Sequence, residues 1–238
     1  MFRQLFFAAV LAGLVAGGLM AAVHQWRVTP LIQSAEFHEK APVHDHGGAV
    51  PDAGAAEHDH AAEGGAWAPA DGPERMFYTV LADVLASMGF ALILGAVAYV
   101  AGIPLTAANG LAWGIAGFVA FSLAPAFGLP PELPGMPVAD LVPRQIWWWE
   151  TVLLTAAAAL VLAKMRPPLS IGLAAVLAIL PHLMGAPHPP AGAQSEVPAE
   201  LASAFAASTL AASALFWLSV GPLLGYLLER FARSETAK

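Results

Sequence analysis

Hydrophobic and polar positions along this chain segregate on the scale of whole helices. Uncharged, mostly apolar runs occupy 4–26, 84–131, 167–195 and 201–228, and charge, proline and glycine collect between them. Each run is longer than the ~20 residues that carry an α-helix across a ~30 Å hydrocarbon core. None has the two-residue alternation of a barrel strand, and lipid offers no hydrogen bonds to bare backbone, so each run is expected to be helical. Gly102-Ile103-Pro104 interrupts the second run, Pro167-Pro168 separates two helices, and Pro187, Pro189 and Pro190 close the latter of these. The pattern predicts six helices, at about 5–26, 76–101, 107–128, 146–163, 168–186 and 201–228. The fold class expected is an all-α polytopic membrane bundle of six spans.

Composition points the same way. The 238 residues are 58% apolar and 11% charged, whereas a soluble domain carries roughly a quarter charged residues. With no cysteine, disulfides, Cys-ligated zinc, iron–sulfur clusters and thiol nucleophiles are excluded. The net charge of −7 argues against a nucleic-acid partner. Arg3 ahead of an apolar stretch is reminiscent of a secretory signal, but the stretch is long and no clear Ala-x-Ala site follows it, so a retained first helix is expected.

The resulting organisation is a first transmembrane segment over 1–28, a loop over 29–75, a helical bundle over 76–229 and a tail over 230–238. The loop consists largely of Ala, Gly, Pro, His and acidic residues. It has too few large apolar side chains to offset the entropy of ordering, so disorder is expected there. The connector from Gly128 to Gly135 is proline-rich and expected to be stiff. With a cytoplasmic amino terminus, Arg3, Lys164, Arg166, Arg230, Arg233 and Lys238 lie inside. Arg27, Lys40, Arg75 and Arg144 lie outside, among 13 of the 17 acidic residues. The positive-inside rule thus favours both termini on the inner side of the membrane and the loop on the outer side. Trp26, Phe77, Tyr78 and Trp147-Trp148-Trp149 fall at outer helix ends, as an interfacial aromatic belt would.

That orientation puts every histidine on one side. His38, His44, His46, His58 and His60 are in the loop, His188 in an outer connector, and His24 and His182 near outer helix ends. Neutral imidazole ligates Co²⁺, Ni²⁺, Cu²⁺ and Zn²⁺ well. His44-Asp45-His46 and His58-Asp59-His60 repeat one triplet, and residues i and i+2 of an extended segment project to one side, so each can offer two imidazoles to one ion. The competing reading is a solvated acidic spacer. Ligand type alone does not select a metal, because affinity rises from Mn to Cu at almost any nitrogen site.

Two carboxylates interrupt the apolar runs, where charge is costly and usually faces the bundle or water. Asp83 lies seven residues into its expected helix and shares a four-residue stripe with Thr79 and Ser87, while Glu150 lies about one turn into its own. Asp83 could handle ions, or instead make an interhelical hydrogen bond or pair with Arg75 or Arg144. Glu150 could equally snorkel to the interface. Pro181 frees a carbonyl beside His182, as a ligand or as a kink. Gly13 and Gly17, Gly110 and Gly114, and Gly221 and Gly225 are spaced as GxxxG, which predicts tightly packed partners for three helices. No phosphate-binding loop, His-Glu-x-x-His or Gly-x-Ser-x-Gly occurs, so an enzyme is not expected.

Several of these features together resemble the CbtA family. They are Met1-Phe2-Arg3 leading into a glycine-rich helix, the His-rich loop, Phe118 to Gly135 ending in Gly-Leu-Pro-Pro-Glu-Leu-Pro-Gly, Arg144-Gln145-Ile146-Trp147, and Leu180-Pro181-His182 to Pro190. The resemblance implies a probable cobalt transporter subunit tied to cobalamin supply, with five spans and a small one-helix CbtB partner. The combined expectation is uptake of cobalt, with nickel second, and no tightly bound cofactor. In it His38, His44, His46, His58 and His60 gather the ion, His24, His182, Asp83 and Glu150 pass it inward, and His188 is a further candidate ligand. The alternative is a non-transporting metal-binding scaffold or sensor.

Overall fold

A computed structural model describes residues 2–40 and 69–236, leaving outside it His44, His46, His58 and His60 with both His-Asp-His triplets. Among the described residues every regular element is helical. α1 (Phe2–Val23) continues through a π-helical turn (His24–Val28) into α2 (Thr29–Lys40), and α3 spans Pro73–Ala101. α4 (Gly110–Phe118) continues through a second π turn (Val119–Leu123) into α5 (Ala124–Ala126). α6 (Leu141–Lys164), α7 (Leu169–Met184) and α8 (Ala199–Thr236) complete the order. All six apolar runs are therefore helical. Four helices are long and apolar enough to cross a membrane: Phe2–His38, Pro73–Ala101, Leu141–Lys164 and Ala199–Ser234. Gly110–Ala126 and Leu169–Met184 are shorter.

The first helix departs most from expectation. It runs through Lys40 instead of ending near residue 26, so the segment expected to lack structure from residue 29 is helical at its start, and α3 already begins at Pro73. At 37 residues, Phe2–His38 is about 55 Å long, well beyond one hydrocarbon core. Proline explains the shape of the extension. A proline ring clashes with the carbonyl four residues earlier and supplies no N–H to it. For Pro30 that carbonyl is Trp26, and for Pro125 it is Phe121, each at the centre of a π turn. The widened turns absorb the clash by passing the hydrogen bond on: the N–H of Thr29 reaches His24 O and that of Ala124 reaches Val119 O.

Glycines set how closely the helices approach. α1 and α3 run antiparallel, with Leu5 against Gly95, Gly13 against Met88 and Gly17 against Val84 and Ser87. α4 and α8 also run antiparallel with their glycines interleaved: a Cβ on Gly221 would lie 2.3 Å from Gly110 O, and one on Gly114 2.3 Å from Trp217 O. Gly13, Gly17, Gly110, Gly114 and Gly221 thus sit in helix–helix contacts, as the spacing predicts, whereas Gly225 meets Leu105 and Thr106 in the connector ahead of α4. Ala8, Ala12 and Ala16 of α1, Ala91, Leu94 and Ala98 of α3, and Phe216, Trp217, Val220 and Leu224 of α8 form the main buried cluster. A second cluster lies at the end of the bundle nearest the 41–68 connection. It joins Val28, Ala35 of α2, Leu133 of the proline-rich connector, and Val197 and Phe205 around the start of α8.

The remaining hairpin, α6–α7, is held by its own contacts. Trp147 is 4% exposed, so it is a core residue rather than part of the interfacial belt, and its Nε1 donates to Pro181 O at 3.0 Å. Trp26 and Trp149 are exposed, as a belt requires.

Candidate functional site

The close approach of α1 and α3 carries a polar pair at its upper end. With no side chain on Gly13 or Gly17, α1 packs against the backbone of α3 from Val84 to Met88, and the π turn that follows sets His24 against Asp83. His24 Nδ1 is 3.0 Å from both carboxylate oxygens of Asp83. The two side chains are 20% and 15% exposed. Water is thus scarce around Asp83, and the imidazole supplies the hydrogen bond that a carboxylate at this depth needs. An acceptor-only carboxylate assigns a proton to Nδ1, which leaves Nε2 as the nitrogen free for another partner. A carboxylate behind an imidazole is the arrangement that orients histidine metal ligands. π turns, for their part, recur at functional sites because they displace side chains from the regular helical register.

The stripe of Thr79, Asp83 and Ser87 is divided in its tasks. Thr79 Oγ1 donates to Arg75 O at 2.8 Å, Asp83 holds His24, and Ser87, 3% exposed, packs beside Gly17. Neither arginine considered for Asp83 pairs with it. Arg75 Nη1 donates to Glu36 Oε2 at 3.1 Å and to Asp71 Oδ1 at 3.0 Å, and its Nη2 donates to Glu36 Oε1. Arg144 is paired with Glu132. The Glu36–Arg75–Asp71 group ties α2 to the start of α3, beyond the His24–Asp83 pair and close to both ends of the 41–68 connection.

The other expected ligands are distributed. His182 sits at the end of α7 with its ring edge-on to Trp147 at 5.7 Å and Phe127 at 6.2 Å. The neighbouring Pro181 carbonyl is occupied by Trp147 Nε1 and by the N–H of Gly185. Glu150, on α6, lies further along its helix than the sequence places it, because α6 begins at Leu141; it is partly buried. His38 and His188 are exposed, in α2 and in the connector after α7. Among the described residues no three His, Asp or Glu side chains are grouped closely enough to hold a metal ion. The structure therefore joins two of the expected site residues, His24 and Asp83, and sets His182 and Glu150 on the separate α6–α7 hairpin.

A family model described as "probable cobalt transporter subunit (CbtA)" matches residues 2–229. The chain belongs to the CbtA family. The match covers nearly all of the helical bundle, so the His24–Asp83 pair and the α6–α7 hairpin both lie within the family's extent. Membership and the apolar helices together make this a membrane protein of a cobalt transport system. No curated protein matches the chain, and no solved structure does. The Glu36–Arg75 pair within this CbtA-family bundle is not legible in the sequence because its partners are 39 positions apart, on either side of the 41–68 connection. The π turns had a legible signal, Pro30 and Pro125 set within otherwise helical sequence.

Proposed function

We propose that this chain is the membrane-embedded subunit of a divalent-cation uptake system, with cobalt as substrate and nickel second, and that the His24–Asp83 pair is an intramembrane station on the ion's path. The pairing itself carries the reading: two groups 59 positions apart are brought within hydrogen-bond distance beside a π turn, at the end of the bundle nearest the His-rich connection. In this reading the loop is periplasmic, both termini are cytoplasmic and the membrane is the bacterial inner membrane. His38, His44, His46, His58, His60 and His188 raise the local ion concentration at the mouth. His24 then offers Nε2 to the ion while Asp83 keeps the ring oriented and supplies a compensating charge.

One imidazole backed by one carboxylate leaves most of the ion's coordination to water. Weak holding suits passage, since a conducting site must bind enough to admit an ion and little enough to release it. His182 and Glu150 act later on the path in this scheme, on the α6–α7 hairpin. A membrane potential negative inside favours inward movement by ~2.3 kcal/mol per unit charge per 100 mV. A small one-helix partner subunit completes the system, and no bond-making chemistry is assigned to the chain.

The test is cobalt flux into proteoliposomes of the purified chain, with and without the partner subunit. Inward flux that grows with an inside-negative potential is expected in at least one preparation. Stoichiometric cobalt binding with no flux in either would replace transport by a scaffold or sensor role.

A further inference from the structure

The seam between α3 and the continuous α1–α2 helix carries two cross-helix polar pairs. His24 meets Asp83 at one level, and Glu36 of α2 meets Arg75 at another, nearer the 41–68 connection. Arg75 grips the Glu36 carboxylate as a fork, Nη1 to Oε2 at 3.1 Å and Nη2 to Oε1, and its Nη1 also donates to Asp71 Oδ1. Arg75, Thr79 and Asp83 recur at four-residue intervals and so share one face of α3, with Thr79 Oγ1 bonded to Arg75 O. From Arg75 to Asp83 is about 12 Å along the helix axis. A cation entering the seam from the 41–68 end therefore meets a guanidinium before it meets the carboxylate.

Different forces hold α2 on its two sides. Away from α3, Ala35 and the adjoining Val28 are buried against Leu133, Val197 and Phe205, a contact that keeps apolar surface out of water. Toward α3, the hold is the Glu36–Arg75–Asp71 group, whose members are all partly or largely open to solvent. Ion pairs in contact with water contribute little to stability, because water solvates the separated charges nearly as well. The ionic side can therefore part while the apolar side stays in place and the bundle stays folded. While it is closed, the guanidinium is fixed across the seam, and a fixed arginine is an electrostatic barrier to cations.

We propose that Arg75 controls access to the His24–Asp83 pair. Bound to Glu36 and Asp71, it straps α2 to the start of α3 and sets a positive charge across the seam; when it lets go, the seam admits a divalent cation to His24 Nε2. Arg75 acts through the position of α2 and through its charge, and it does not itself hold the ion. The proposal rests on the reading of His24 and Asp83 as a station on the ion's path.

Diethyl pyrocarbonate, which acylates unprotonated imidazole nitrogen, tests this on the full chain in detergent, with His24 and His182 followed separately by peptide mass spectrometry. The Arg75→Gln, Glu36→Gln double variant removes the fork and leaves only the well-solvated Asp71 carboxylate. It is expected to raise the His24 rate severalfold and to leave His182, on the separate α6–α7 hairpin, at its wild-type rate. Arg75→Lys, which keeps the charge, is expected to retain most of the protection. A wild-type His24 rate in the double variant overturns the proposal, as does a parallel rise at His24 and His182, which would report general loosening. If the double variant does not fold, Glu36→Gln alone is measured, and a wild-type His24 rate there overturns the proposal. Protection of wild-type His24 by added Co²⁺ tests the underlying reading separately: its absence would refute His24 as an ion ligand, while the variant rates still decide whether Arg75 controls access.

Discussion

Gly17 of α1 meets Val84 of α3 so closely that a Cβ on Gly17 would stand 2.7 Å from the Val84 Cα. Below 3.0 Å against backbone, something has to move, and here the whole helix pair must separate. That contact fixes the register which places His24 beside Asp83 further along the same two helices. A small residue seven positions earlier in the chain thus determines the geometry of the polar pair.

Gly17→Val is expected to destabilise the protein by about 1–3 kcal/mol, the usual cost of forcing added volume into a packed contact. Gly13→Val is expected to do the same, since a Cβ there would lie 2.5 Å from Met88 Cα. Gly18→Ala is the control, with nothing within 4 Å of its Cβ position. Thermal unfolding in detergent separates these variants, and a Gly17→Val protein as stable as Gly18→Ala would show that the helices are not held at this distance.

Trp147→Phe removes the Nε1 donor that reaches Pro181 O across the α6–α7 hairpin and also the outer indole atoms packed against Gly128. Pro181 is almost fully buried, and its carbonyl would keep only the Gly185 N–H as partner. A loss of more than about 1 kcal/mol is expected, since the net worth of one such bond is added to the cost of the cavity left by the smaller ring. Unfolding of the variant measures it, and the His182 ring, packed edge-on to Trp147, serves as a local NMR reporter of the change.

Replacing His44, His46, His58 and His60 together by alanine is expected to lower cobalt uptake by cells at scarce external metal and to leave it unchanged when metal is abundant. A capture array raises local concentration and does nothing once the path is saturated. Uptake equally impaired at every concentration would place those imidazoles in the path itself.

The chain has no cysteine, so Ala55→Cys gives a single labelling site in the 41–68 connection. A membrane-impermeant maleimide is expected to label it in intact spheroplasts. Labelling only after the membrane is opened would put the His-rich connection in the cytoplasm and rule out uptake by this arrangement.

What the sequence makes legible follows from the range of the interactions involved. The apolar runs and their proline and glycine breaks are local, so six helices could be read directly, as could the glycine pairs that pack them. The continuation of the first helix through Thr29–Lys40 was not, because its stability comes from burying Val28 and Ala35 against Leu133, Val197 and Phe205, all distant in sequence. His24 and Asp83 were each recognisable as candidates, but their pairing needs the α1–α3 register. Conversely, Trp147 looks like an interfacial aromatic by position and is a core donor by contact.

The most direct measurement is radiolabelled cobalt uptake by cells carrying Asp83→Asn or His24→Gln, at matched membrane expression and across external cobalt concentrations. With the pair on the ion's path, each variant loses about tenfold or more, the scale at which losing a ligand's carboxylate partner usually tells, and added metal does not restore it. Uptake at the wild-type level in both variants would contradict a role for His24 and Asp83 in moving the ion.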